Sequence, residues 1–165
     1  MVKVAILGIG VVGGGTAEVL TKNRDLIARR AGSEIEVKYI LCRKPRPDHP
    51  FAHLIVHDIE TVANDPEIKA VAECIGGATL AYGYVKRCLS AGKSVVTSNK
   101  ELVAEKGLEL TALARKMGVN FMFEASVGGG IPILRPISQC LAANEISAVY
   151  GILNGTTNYI LTEMI

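Results

Sequence analysis

The sequence predicts an α/β fold, a doubly wound parallel sheet with helices on both faces. Two observations carry this. Short apolar, β-branched runs alternate with longer segments of helical spacing, the order produced when each strand is followed by a crossover helix. Hydrophobic residues make up 49% of the chain, yet aromatics are only 5% and Trp is absent. The core must therefore be Val, Ile, Leu and Ala, which suits parallel strands buried on both faces. At 165 residues the chain is the size of one domain.

The elements follow in order. Val2–Leu7 reads as a strand, and the glycines after it open a helix that runs to about Arg30. Ile35–Cys42 is a second strand, and Arg43–Pro50 a basic, proline-rich loop. Leu54–Val56 is a short strand and Ile59–Asn64 a short helix, stopped by Asp65-Pro66. Ala70–Ile75 is a buried strand ended by Gly76-Gly77. A helix runs from about Thr79 to Ser90, with Lys86 and Arg87 near its end and Gly92 as a left-handed cap. Ser94–Thr97 is the next strand. Ser98-Asn-Lys-Glu101 fits a capping box for the following helix, which has Arg115 and Lys116 in its last turn and Gly118 after it. Val119–Phe123 is a strand and Ile131–Ala142 a helix. Ile146–Leu153 reads as a strand, and a helix follows from Thr157. Residues 1–130 form one expected domain, and 131–165 the first strand and helix of an incomplete second. A strand at Ile146–Leu153 would leave an exposed edge open to pairing with another copy.

Composition excludes several classes. A net charge of +2, without a basic stripe interleaved with aromatics, gives no nucleic-acid platform. No apolar run approaches the roughly 18 residues that span a bilayer, and the N-terminus lacks a signal-like h-region. Cys42, Cys74, Cys88 and Cys140 are scattered, as expected of free thiols in a reducing cytoplasm. His49, His53 and His57 are spaced by four, but Pro50 and the strand-like Leu54–Val56 argue against a zinc stripe on a helix.

Gly8-Ile-Gly10-Val-Val-Gly13 lies between a predicted strand and a predicted helix, the context that makes this fingerprint informative. Gly8 would make the tight turn, Gly10 would admit a pyrophosphate, and Gly13 would let helix pack on strand. Phosphates would meet the free N–H groups and partial positive charge of the helix N-terminus. The doubly wound sheet is thus of the Rossmann type. Its second strand ends in Leu41-Cys-Arg43-Lys44, not in the acidic residue that holds a ribose 2′-hydroxyl. Arg43 and Lys44 would meet a 2′-phosphate, so NADP(H) is expected over NAD(H); the alternative is a solvated basic loop. Gly76-Gly77 would pass close to the nicotinamide end, and Thr79 would either join it or cap its helix.

Lys100 falls in the first turn of its helix, where a cation is disfavoured by a few tenths of a kcal/mol. Either it is a surface lysine, or it sits at a strand's carboxyl end to move the proton of an alcohol during hydride transfer. Glu124-Ala-Ser-Val127-Gly-Gly129-Gly-Ile131-Pro132 combines a hard oxygen with glycines that free carbonyls. It reads as a weak cation site or as a hinge turn.

Together these motifs resemble homoserine dehydrogenase, over nearly the whole chain. The carrying pieces are Gly8-x-Gly10-x-x-Gly13, Gly76-Gly77, Gly92-Lys-Ser-Val-Val-Thr-Ser-Asn-Lys100, Glu124–Pro132 and Gly151–Met164. The resemblance implies interconversion of homoserine and aspartate 4-semialdehyde with NAD(P), serving threonine, methionine and isoleucine synthesis in the cytoplasm. It implies Lys100 as the catalytic lysine. Cofactor contact falls to Gly8, Gly10, Val11, Val12, Gly13, Arg43, Lys44, Gly76, Gly77, Thr79, Ser98, Asn99 and Gly155. Gly155 and Thr156 would border the substrate. Glu124, with carbonyls of Val127, Gly129 and Ile131, would hold a monovalent cation, sodium.

Members of this family continue into a substrate domain and form homodimers, so a fragment of a longer enzyme is expected, binding NADP(H) but turning over homoserine poorly. The competing readings are another small-substrate NADP reductase and a stand-alone NADP-binding module without catalysis. No cysteine stands in an obvious reactive turn, which counts against an acyl-enzyme reductase.

Overall fold

Strand β1 (Val2–Leu7) is flanked by neighbours on both sides, and its sequence explains why: Ala5, Ile6 and Leu7 are wholly buried. Alternation along the strand sends Ala5 and Leu7 to one face and Ile6 to the other, where they join separate apolar clusters. The computed structural model describes residues 1–151 and 155–165. Within them β1, β2 (Ile35–Leu41), β3 (Ile55–Val56), β4 (Ile68–Glu73), β5 (Ser94–Thr97) and β6 (Phe121–Met122) form one sheet in the order β3-β2-β1-β4-β5-β6. Every pairing is parallel. The strand order reverses between β1 and β4, so crossovers of one hand must lie on opposite faces of the two halves. Helix α1 (Val11–Lys22) covers the Ile6 face through Ala17, with Ile9 and Ile40. Helices α3 (Ile59–Ala63), α4 (Ala78–Ser90) and α5 (Lys100–Met117) cover the other, through Val62, Ala81, Val85, Leu89, Leu102 and Leu110. The doubly wound fold is as expected.

Local differences have local causes. The single helix expected to reach Arg30 is two, α1 and α2 (Arg24–Ala31), broken at Asn23 (φ −103°, ψ 21°). Asn side chains compete with helical backbone bonding and favour such ends. Asn99, not Ser98, caps α5: its side chain accepts from Leu102 N at 3.1 Å. Gly77 rather than Thr79 opens α4.

The expected helix Ile131–Ala142 is replaced by a five-residue π-helical turn, Pro136–Cys140, in which Leu141 N donates to Pro136 O at 3.2 Å. Pro132 and Pro136 lack the N–H groups a regular helix would use. The strand expected at Ile146–Leu153 does not form over the described residues 146–151, and 152–153 lie outside them. No neighbouring strand supplies that segment with a ladder there, and an isolated strand is not stable. The self-associating edge expected from it is therefore not present among the described residues. A helix does follow, α6 (Gly155–Glu163).

At the opposite end of the sheet from the glycine loop, Lys38 Nζ bridges Asp65 (2.5 Å) and Glu67 (2.6 Å). The Lys38 ammonium lowers the Asp65 carboxyl from 3.8 to about 2, and the Asp65 side chain is only 11% exposed. A depressed carboxyl contributes stability above its unfolded value that is lost as pH falls through the folded one. Asp65→Asn should therefore destabilise by about 1 kcal/mol at neutral pH. Urea midpoints of variant and wild type should converge as pH drops from about 4 to about 2.

Candidate nucleotide-binding and active site

The site begins where β1 ends. Gly8 adopts φ +101°, and a Cβ there would meet Cys74 O at 2.9 Å, so only glycine fits the turn. Gly13 lies in the first turn of α1, and its missing side chain lets the helix close directly on Gly8 O. Gly10 has open space within 4 Å, Val11 is 96% exposed and Val12 is exposed. No acidic residue sits in the first turn of α1, and no side chain caps it. Uncapped N–H groups beside open space fit a pyrophosphate, the anion this arrangement binds.

Beside this loop a cleft of about 190 Å³ is lined by Gly8, Leu41 and Ile75 on the sheet side and by Leu80 and Tyr84 of α4. Its rim is Arg43, Lys44 and Arg46, all exposed, and no carboxylate lines it. The loop is held at its root: Cys42 Sγ donates to Lys44 O at 3.1 Å, and His57 Nδ1 lies 2.6 Å from Cys42 O. Arg46, Leu80 and Tyr84 were not expected from the sequence. Leu80 and Tyr84 stand four apart on one face of α4, a spacing that would have paired them had the cleft been known.

On the other side of β1, the ends of β4 and β5 are joined by a buried polar network around Glu73, which is fully buried. Glu73 Oε1 accepts from Ile75 N at 2.5 Å, and Oε2 accepts from the Thr97 hydroxyl. Thr97 Oγ1 accepts from Asn99 N at 2.9 Å. Asn99 Nδ2 donates to Ile75 O (2.9 Å) and Gly77 O (2.8 Å). Burial pushes the Glu73 carboxyl up, while its donors from Thr97 and Ile75 pull it back. Cys74, beside it, has its thiol pushed up to about 11 by burial and by the Glu73 charge, so it is a poor nucleophile. A Glu within the apolar run Ala70–Ile75 was the available signal for this network, because a buried carboxylate demands partners.

The network places several expected residues together. Gly76 and Gly77 form the exposed turn that Asn99 holds, Thr79 is exposed one turn on, and Ser98 is half-buried with its N donating to Glu73 O at 3.3 Å. Lys100 is exposed at the first helical position of α5, directly after Asn99. Gly155 and Thr156 are exposed at the start of α6, and neither apolar cluster contains a residue of that helix.

Glu124 Oε1 accepts from Ile133 N (2.5 Å) and Leu134 N (2.9 Å), and Oε2 from Arg135 N (2.8 Å). Burial raises this carboxyl, but those backbone donors outweigh it and hold it below the usual range. The carboxylate thus anchors the segment after Pro132, and Oε2 retains capacity for a further partner. Val127, Gly129 and Ile131 lie in the turn between.

Known proteins agree with this architecture. Residues 8–124 match the family described as homoserine dehydrogenase, NAD binding domain, and residues 132–165 match the family described as homoserine dehydrogenase. The homoserine dehydrogenase of Pseudomonas aeruginosa is 51% identical over 99% of this chain and 38% of its own length. The crystal structure of a homoserine dehydrogenase from Thiobacillus denitrificans superposes with a TM-score of 0.90 at 45% identity, covering 99% of this chain and 38% of that one. A putative homoserine dehydrogenase from Archaeoglobus fulgidus gives a TM-score of 0.81 at 32% identity, over 99% of this chain and 55% of its own. This chain spans about 38% of the length of the Pseudomonas and Neisseria gonorrhoeae relatives. By sequence and by fold, the chain belongs to the homoserine dehydrogenase family.

Proposed function

We propose that this chain forms the nucleotide-binding side of an NADP(H)-dependent oxidoreductase that interconverts homoserine and aspartate 4-semialdehyde, in the pathway to threonine, methionine and isoleucine. The observation that carries the cofactor choice is the basic rim of Arg43, Lys44 and Arg46 around a cleft without a carboxylate. Arg and Lys would pair a 2′-phosphate, whereas a carboxylate would repel it. Gly8, Gly10, Val11, Val12 and Gly13 would carry the pyrophosphate. Gly76, Gly77, Thr79, Ser98 and Asn99 would face the nicotinamide end, with Gly155 and Thr156 bordering cofactor and substrate. When bound, the cofactor supplies hydride acceptance and donation.

Lys100 would take the hydroxyl proton of homoserine and return it to the semialdehyde oxygen. A sodium ion would share Glu124 with the carbonyls of Val127, Gly129 and Ile131. Residues 1–130 then make the nucleotide domain and 131–165 the start of a catalytic and dimerising one, the whole enzyme working as a homodimer in the cytoplasm. No helix among the described residues is long and apolar enough to cross a membrane.

Titration of the 165-residue chain with NADPH and NADH tests the cofactor choice. NADPH should bind at least tenfold more tightly. The double variant Arg43→Ala/Lys44→Ala should erase that ratio by weakening NADPH alone, at about 1.5–3 kcal/mol per charge-assisted bond lost. Equal affinities in the wild type, or tighter NADH, would refute the preference.

A further inference from the structure

We infer that Glu73 is a positioning residue for the nicotinamide end of the site, fixing the Gly76–Gly77 turn against the first turn of α5 through Thr97 and Asn99. The inference rests on the proposed reading of this site as a dinucleotide site. Its basis is the direction of the hydrogen bonds. The Thr97 hydroxyl gives its single proton to Glu73 Oε2. That leaves a lone pair of Thr97 Oγ1 to receive Asn99 N.

Asn99 is then oriented at both ends of its side chain. Its Oδ1 caps α5 at Leu102 N, and its Nδ2 spans to Ile75 O and Gly77 O. Glu73 Oε1 holds the same turn from beneath, at Ile75 N. One buried carboxyl group thus sets two loops, the one bearing Gly76 and Gly77 and the one bearing Lys100. Packing alone gives no reason for a carboxylate here: the strand partner of Glu73 in β1 is the buried Leu7, and the buried Val71 stands two residues before it in β4. A Gln at this position offers one acceptor and one donor pair. Its oxygen can still accept from Ile75 N, but its amide nitrogen can only donate toward Thr97 Oγ1, so the buried Thr97 hydroxyl proton loses its acceptor and the link to Asn99 is weakened.

The test uses two probes on the 165-residue chain. NADPH reaches both ends of the site; 2′,5′-ADP carries the adenine half without nicotinamide. Glu73→Gln should weaken NADPH about tenfold, on the scale of one or two buried hydrogen bonds, and leave 2′,5′-ADP unchanged. Thr97→Val should reproduce that pattern, and Thr97→Ser should restore wild-type behaviour. If Glu73→Gln fails to fold by circular dichroism, the Thr97→Val and Thr97→Ser pair decides. Equal weakening of both probes marks a merely structural role and overturns the inference, as does no weakening of either. A wild-type chain that binds neither probe overturns the dinucleotide reading itself, and the inference with it.

Discussion

Gly13→Ala should unfold the nucleotide loop. A Cβ at this position would lie 2.1 Å from Gly8 O and 2.9 Å from Gly8 C. Both obstacles are backbone, so no rotamer change relieves them. Gly8 cannot retreat, because it already turns at φ +101° against Cys74 O. The only relief is to lift α1 from β1, which would open the cluster of Ile6, Ile9, Ala17 and Ile40. Overpacking of this kind costs about 3 kcal/mol or more. Urea unfolding should show that loss, and NADPH affinity should fall by well over tenfold. Gly10→Ala separates ligand space from fold. Gly10 has φ −74° and no neighbour within 4 Å, so its variant should keep the wild-type unfolding midpoint. Affinity should still fall about tenfold, because the added methyl occupies the approach of a pyrophosphate. An unchanged affinity in Gly10→Ala would mean that the anion does not lie over this loop.

The contrast shows which parts of the molecule a sequence discloses. Gly8 and Gly13 were legible because a fixed spacing, a preceding strand and a following helix dictate one backbone path. Parallel pairing was legible from the alternation of β-branched and helical runs. The break at Asn23 and the shift of the α5 cap from Ser98 to Asn99 were not. Several residues there satisfy the same local rule, and tertiary bonds choose among them: Thr97 is already committed to Glu73, and Asn99 reaches Gly77. The failed strand at Ile146 has another cause. β-propensity describes fit to a neighbouring ladder, and the described residues supply no such neighbour. The role of Glu73 is not legible in the sequence because strand patterns weigh apolarity and average one carboxylate away. Its burial, with Thr97 and Asn99 as partners, appears only once β4 and β5 lie side by side.

Lys100→Ala, in a polypeptide extended to the length of its relatives, should lower kcat by about 10²–10⁴ while sparing the fold. The residue is exposed and opens α5, whose N-terminal partial charge disfavours a cation there. Removing the side chain should therefore leave stability within about 0.5 kcal/mol of wild type, or raise it slightly. NADPH affinity should change less than twofold, since Asn99 and the Gly76–Gly77 turn keep their bonds without it. Lys100→Arg decides between two roles that Ala cannot separate. If Lys100 serves only as a positive charge beside the substrate oxygen, Arg restores most of the rate. If it accepts and returns a proton, Arg fails as Ala does, because a guanidinium does not give up its proton at accessible pH. The expected result is failure of both variants, with intact folding and cofactor binding in each. Substantial activity in Lys100→Arg would remove proton transfer from the role of this lysine and leave it an electrostatic one.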